Sequence, residues 1–289
     1  MRRFLGVVAV LALLITVYYF RVDIARLISG FGSGDPGTAA SAQSPTADSC
    51  LLVDAPQPLT LNIGVVVDPS ASTASSFSKG VMAALATQLS DHMPAKTDTP
   101  QDGVATVDAI NLRVKLVGSN PYAYGAADLY VQIPGVQGLP PRPSLDCIDS
   151  TYASWTRAAK TWSTSYDAAL EALSKAVDRV HSMSLKAENS GIRAALSSLV
   201  IAMPGGPGTA YLVASDYDEN VAPQTAGNMG DRPLILLAAC ASGNATRCSS
   251  DVQKFGDWAT SALHAGAISV MPSDLTASAV SQLFTEATS

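Results

Sequence analysis

The stretch LNIGVVVDPSAS, residues 61–72, decides how this chain is read. Residues 63–67 are apolar on consecutive positions and mostly β-branched, the pattern of a strand covered on both faces of a parallel α/β sheet. Asp68, Ser70 and Ser72 follow at the strand's carboxyl end, where ligands bind in open α/β sheets. One carboxylate and two hydroxyls so close in sequence make a hard-oxygen set suited to Mg²⁺ or Mn²⁺. The plain alternative is a helix cap, in which Asp68 or Ser70 accepts the first free N–H groups of the helix that comes next.

Working outward, residues 74–89 carry Phe77, Val81, Leu85 and Leu89 at four-residue spacing, one face of a helix. Residues 110–117 alternate Leu112, Val114 and Leu116 with Arg113 and Lys115, a half-covered strand, and residues 128–133 form the next strand. The short turn between these two implies an antiparallel pair. From 151 to 181 the apolar positions advance by threes and fours, giving one long helix or two in tandem with an aromatic stripe of Tyr152, Trp155, Trp162 and Tyr166. Such a stripe reads as core, with a partner-docking surface as the alternative. A helix over 192–203, strands over 210–215 and 234–239, a helix over 252–264, a strand over 268–271 and a closing helix over 277–286 complete the order. The fold class expected is α/β: a doubly wound, mostly parallel six-stranded sheet with helices on both faces.

Toward the N-terminus, residues 4–20 lack charge and contain two Tyr at the interfacial end, the composition of a short membrane-spanning helix. Residues 1–27 read as an uncleaved anchor and 28–49, rich in Gly, Ser, Ala and Pro, as a flexible tether to a domain over 50–289. The flanking arginines favour a cytoplasmic N-terminus, with the C-terminal domain outside the cytoplasm. Four Cys, at 50, 147, 240 and 248, suit that placement, and of three connectivities Cys50–Cys147 with Cys240–Cys248 is the local choice. A net charge of −6 without any basic stripe argues against nucleic acid.

Asp216 closes the strand over 210–215 as Asp68 closes the first one, and Ser190 lies directly before the helix over 192–203. Two carboxylates brought together repel unless a cation neutralises them. Asp68-x-Ser70-x-Ser72, the run SGIRAAL from Ser190 and the run VASD ending at Asp216 together resemble the von Willebrand factor A domain family. That family carries a metal-ion-dependent adhesion site built from Asp-x-Ser-x-Ser, a loop Thr and a strand-ending Asp. The resemblance implies that Ser70, Ser72 and Ser190 contact Mg²⁺ or Mn²⁺, that Asp68 and Asp216 act directly or through water, and that a partner protein's carboxylate takes the open position. Ser190 stands where the family has Thr, and Tyr217 follows Asp216 where Gly is common.

The function expected is binding, not turnover: a membrane-anchored domain holding a protein partner through a divalent cation. An aspartyl phosphatase would carry a second Asp where Ser70 stands, and no Gly-x-Ser-x-Gly elbow for a serine hydrolase occurs. The alternatives are a metal-free scaffold of the same fold and a periplasmic-type domain for small solutes.

Overall fold

Strand β1, Thr60–Val67, is buried along nearly its whole length and lies in the middle of the sheet. The computed structural model describes residues 50–289 apart from 51, 53–54, 56, 70–72, 74, 93–105, 118–127, 145, 186–190, 204, 220–226 and 241–244. The expected anchor and tether, 1–27 and 28–49, lie outside the described residues, among which no helix is long and apolar enough to cross a membrane.

Helix α1, Ser75–Asp91, leads from β1 to β2, Ala109–Leu116, which turns back into β3, Asp128–Ile133. Helices α2, Asp149–Ser182, and α3, Ile192–Ala202, then lead to β4, Thr209–Ser215. Strand β5, Leu234–Ala238, helix α4, Ala245–Leu263, strand β6, Ile268–Pro272, a 3₁₀ turn at Ser273–Leu275 and helix α5, Thr276–Thr288, finish the chain. The strand order is β3-β2-β1-β4-β5-β6, with every pair parallel except β2 with β3. The order reverses between β1 and β4, the switch point of a doubly wound sheet.

Each face of the sheet has its own core. Leu61, Ile63, Val65 and Val67 point to one side, into a cluster with α1, the second half of α2 and α5. Val66, Tyr211 and Val213 point to the other, against α3 and α4. Alternation along a strand sends successive side chains to opposite faces, so a strand covered on both must be apolar throughout.

Helix α2 is one continuous helix that serves two packings. Its second half contributes Leu173, Ala176 and Val180 to the first core. Its first half buries Trp155, Ala159, Trp162 and Tyr166 against Val107, Val136 and Leu139, so the aromatic stripe is core except for Tyr152, which is half-buried and accepts from Arg142. Trp155 Nε1 donates to the Pro140 carbonyl at 3.0 Å, and the Arg142 guanidinium lies 5.4 Å over the Trp155 ring. The proline-bearing segment 135–143 is thereby laid along the helix. Both expected disulfides are present, Cys50–Cys147 across a separation of 97 residues and Cys240–Cys248 across 8.

One expected boundary is corrected: the helix expected over 252–264 begins seven residues earlier, at Ala245. Its polar first turns, ATRCSS, read as loop, but the disulfide-bonded Cys248 is buried and extends the apolar face of Val252, Phe255, Ala259 and Leu263. A half-cystine here counts as an apolar residue.

Gly64, in the middle of β1, has no room for a side chain. A Cβ there would lie 2.7 Å from Tyr211 Cδ1 and 3.2 Å from Leu199 Cδ2. Tyr211 cannot swing aside, because its hydroxyl donates to the Met203 carbonyl in the buried core. Gly64→Ala is expected to cost about 1–3 kcal/mol, as overpacking does, read as a lower urea midpoint at unchanged slope.

Candidate functional site

The register places Val67 of β1 beside Ala214 of β4, and the Asp68 amide donates to the Ala214 carbonyl at 2.9 Å. Continuing one residue brings Asp68 level with Ser215. Asp68 is fully buried, and its Oδ2 accepts from Ser215 Oγ at 2.8 Å. Ser215 Oγ in turn accepts from the Tyr217 amide at 3.0 Å, and Ser78 Oγ of α1 donates to the Asp68 carbonyl at 3.0 Å. Asp68 is therefore held from two sides, its carboxylate by Ser215 of β4 and its backbone carbonyl by Ser78 of α1.

Asp216 is the next residue of β4's exit and is only partly buried. Its Oδ1 accepts from the Asp218 amide at 3.1 Å, and its carbonyl oxygen lies 3.5 Å from Cys248 Sγ of the second disulfide. The structure thus brings two of the expected site residues, Asp68 and Asp216, to the carboxyl ends of adjacent parallel strands at the switch point. Ser70, Ser72 and Ser190 lie outside the described residues. Among the described residues no three His, Cys, Asp or Glu side chains gather as a metal cluster. Strand-end carboxylates are the donor type that a hard divalent cation takes, with hydroxyl oxygens as the remaining donors it would need.

Tyr217 occupies a left-handed backbone conformation, φ 61°. Glycine adopts that region freely, and a bulky residue there costs of order 1 kcal/mol or more. The side chain does not crowd the strand ends. It runs back into the second core, where its hydroxyl donates to the Val213 carbonyl at 2.8 Å and its ring meets Phe255 edge-on at 5.2 Å. Burial first, and the nearby Asp68 charge second, push the phenol well above its ordinary pKa.

The third expected segment is tied in by a residue that sequence reading left without a role. Glu219 Oε1 accepts from the backbone amide of Arg193, in the first turn of α3, at 2.9 Å. Its Oε2 lies 2.9 Å from Arg193 Nη1 as an ion pair. That contact is off the hydrogen-bond direction, since neither Glu219 Oε2 nor Arg193 Nε has an aligned partner. The guanidinium also covers the Trp258 ring at 5.4 Å. Glu219 thus joins the loop after β4 to the helix that follows Ser190. Its acidic neighbours were visible in the sequence, but nothing in the spacing of residues 193 and 219 signals their meeting. Comparison with protein-family models and with curated protein sequences finds no match.

Ser215→Ala removes a donor from a buried carboxylate and an acceptor from the Tyr217 amide. A loss of about 1.5–3 kcal/mol in unfolding free energy is expected, measured by urea denaturation. Burial also raises the Glu219 pKa, with the Arg193 amide and guanidinium pulling partly back. The native state then keeps this proton to higher pH than the unfolded chain, so its contribution is complete below the ordinary carboxylate value and falls as pH rises through the native one. The stability difference between the parent and Glu219→Gln, followed by urea denaturation at a series of pH values, should therefore shift against the parent as pH rises above the ordinary Glu value of about 4.3.

Proposed function

We propose that this chain carries a von Willebrand factor A-like domain that binds a protein partner through Mg²⁺ or Mn²⁺. Asp68, Ser70, Ser72, Ser190 and Asp216 would hold the ion, and a carboxylate of the partner would complete its shell. The observation that carries the reading is the arrangement at the switch point: the carboxylates of Asp68 and Asp216 stand at the ends of adjacent parallel strands β1 and β4. The antiparallel β3 at the edge and the tie between Glu219 and α3 are consistent with it. Residues 4–20 would anchor the chain in a membrane, with the N-terminus cytoplasmic and the domain outside. The two disulfides suit an oxidising compartment.

When bound, the cation would neutralise the two carboxylates and present an open coordination position. The chain's own part is to hold its oxygens in place, and the fully buried Asp68, fixed by Ser215 Oγ, does so from within the sheet. The same observation favours a second reading, a metal-free scaffold, because that hydrogen bond already satisfies one carboxylate oxygen without an ion. A two-lobed solute-binding fold calls for two comparable lobes, whereas residues 45–289 form one compact unit.

Calorimetric titration of Mg²⁺ and Mn²⁺ into the full chain in detergent micelles separates the two readings. Saturable binding is expected in the parent and its loss in Asp68→Ala/Ser70→Ala, with circular dichroism unchanged. No binding to a folded parent would overturn the cation site and leave the scaffold.

A further inference from the structure

The loop that leaves β4 carries two ties beyond Asp216, and they are unequal. The Arg247 guanidinium meets Asp218 Oδ1 at 3.0 Å with both side chains more than half exposed, a surface pair that holds little in place. The next residue, Glu219, has a side chain only 10% exposed and is bound to α3 by both its amide contact and its ion pair with Arg193.

Helix α3 lacks a cap of its own. The first N–H groups of a helix have no acceptor within it, and the residue before α3 is Gly191, which has no side chain to offer them. Glu219 Oε1 takes the Arg193 amide instead, at 2.9 Å and across 26 residues of sequence, and brings a carboxylate to the positive end of the helix. The helix is a fixed post, since Leu196, Leu199 and Val200 are buried in the second core. The tie therefore runs from the loop to a rigid element.

From Glu219 the path to the strand-end carboxylate is short. Asp216 Oδ1 accepts from the Asp218 amide at 3.1 Å, and Glu219 is the residue directly after Asp218. At the other end of this span the Tyr217 amide is held by Ser215 Oγ. The stretch from Asp216 to Glu219 is thus fastened to β4 at its start and to α3 at its end.

We propose that Glu219 is a positioning residue for the cation site: it holds the loop whose Asp218 amide orients Asp216, and so sets the affinity for the divalent ion. The inference rests on the cation reading above. Polar groups that hold a metal-ligating side chain from behind change metal affinity by about 10–100-fold when they are removed.

Two substitutions separate this role from the simple effect of a negative charge near a cation. Glu219→Gln removes the charge and keeps an oxygen for the Arg193 amide, whereas Glu219→Asp keeps the charge and is one methylene shorter. Mn²⁺ is titrated into the full chain in detergent micelles at neutral pH, with free Mn²⁺ read from its paramagnetic resonance signal and folding from near-ultraviolet circular dichroism. Glu219→Gln should bind within about threefold of the parent and Glu219→Asp roughly tenfold or more weaker. Glu219→Ala, which lacks the oxygen altogether, should match Glu219→Asp, so either folded variant serves for the comparison with Gln. An attraction by charge alone gives the reverse order of Gln and Asp. With saturable binding in the parent and its loss in Asp68→Ala/Ser70→Ala, that reverse order, or equal affinity in all the Glu219 variants, would overturn the positioning role alone. A folded parent that binds no Mn²⁺ would overturn the cation reading and this role with it.

Discussion

The parallel pairing of β1 with β4 is the constraint on which the rest of the structure rests. These strands are far apart in sequence, yet they sit at the centre of the sheet in a register that puts Val66 beside Val213 and Val67 beside Ala214. Both are covered on two faces, and from Ile63 to Val67 and Ala210 to Ala214 they carry no charged group and one hydroxyl, Tyr211's, which donates to the Met203 carbonyl. Polar groups begin where the strands stop. The register then determines which of them meet: Asp68 against Ser215, with Asp216 one residue beyond. The concentration of chemistry at this end follows from the burial of everything before it.

Much of this was legible because burial writes itself into apolar runs. Residues 63–67, 210–215 and 234–239 were recognisable as strands without reference to partners, and the alternation over 110–117 marked the half-covered strand that accepts an antiparallel neighbour. Strand ends of opposite polarity made Asp68 and Asp216 candidates. What sequence could not convey were encounters between residues with no common spacing. Glu219 with Arg193 is one, and Trp155 with the Pro140 carbonyl is another. The first turns of α4 were hidden for a different reason: Cys248 counts as apolar only once it is paired and buried.

The long helix α2 shows how one element is divided between two tasks. Its Leu173, Ala176 and Val180 belong to the core under the sheet, whereas Trp155, Trp162 and Tyr166 cover a smaller cluster beyond it. Cys50–Cys147 crosslinks the chain just before β1 to the start of this helix, closing a loop of nearly a hundred residues. In the chain-entropy account such a crosslink is worth about 4–5 kcal/mol, mostly through the unfolded state. The smaller cluster has few apolar residues of its own, so this constraint matters more there than in the main cores.

Tyr217 brings these strands of argument together. A bulky residue in a left-handed conformation is a cost that glycine would avoid. Here the conformation turns the side chain inward, where the hydroxyl meets Val213, the ring meets Phe255 and the amide meets Ser215 Oγ. The cost is offset in the core, and the loop gains a fixed point at its start. Glu219 gives it another, two residues later, on the first turn of α3. Between them lies the exposed Asp218, with Asp216 directly before. The strand-end carboxylates are therefore held by bonds within the protein, Asp68 by Ser215 Oγ and Asp216 by the Asp218 amide. A cation bound as proposed would find the Asp68 and Asp216 oxygens already held by Ser215 and the Asp218 amide, which lowers the ordering cost of binding at those two groups.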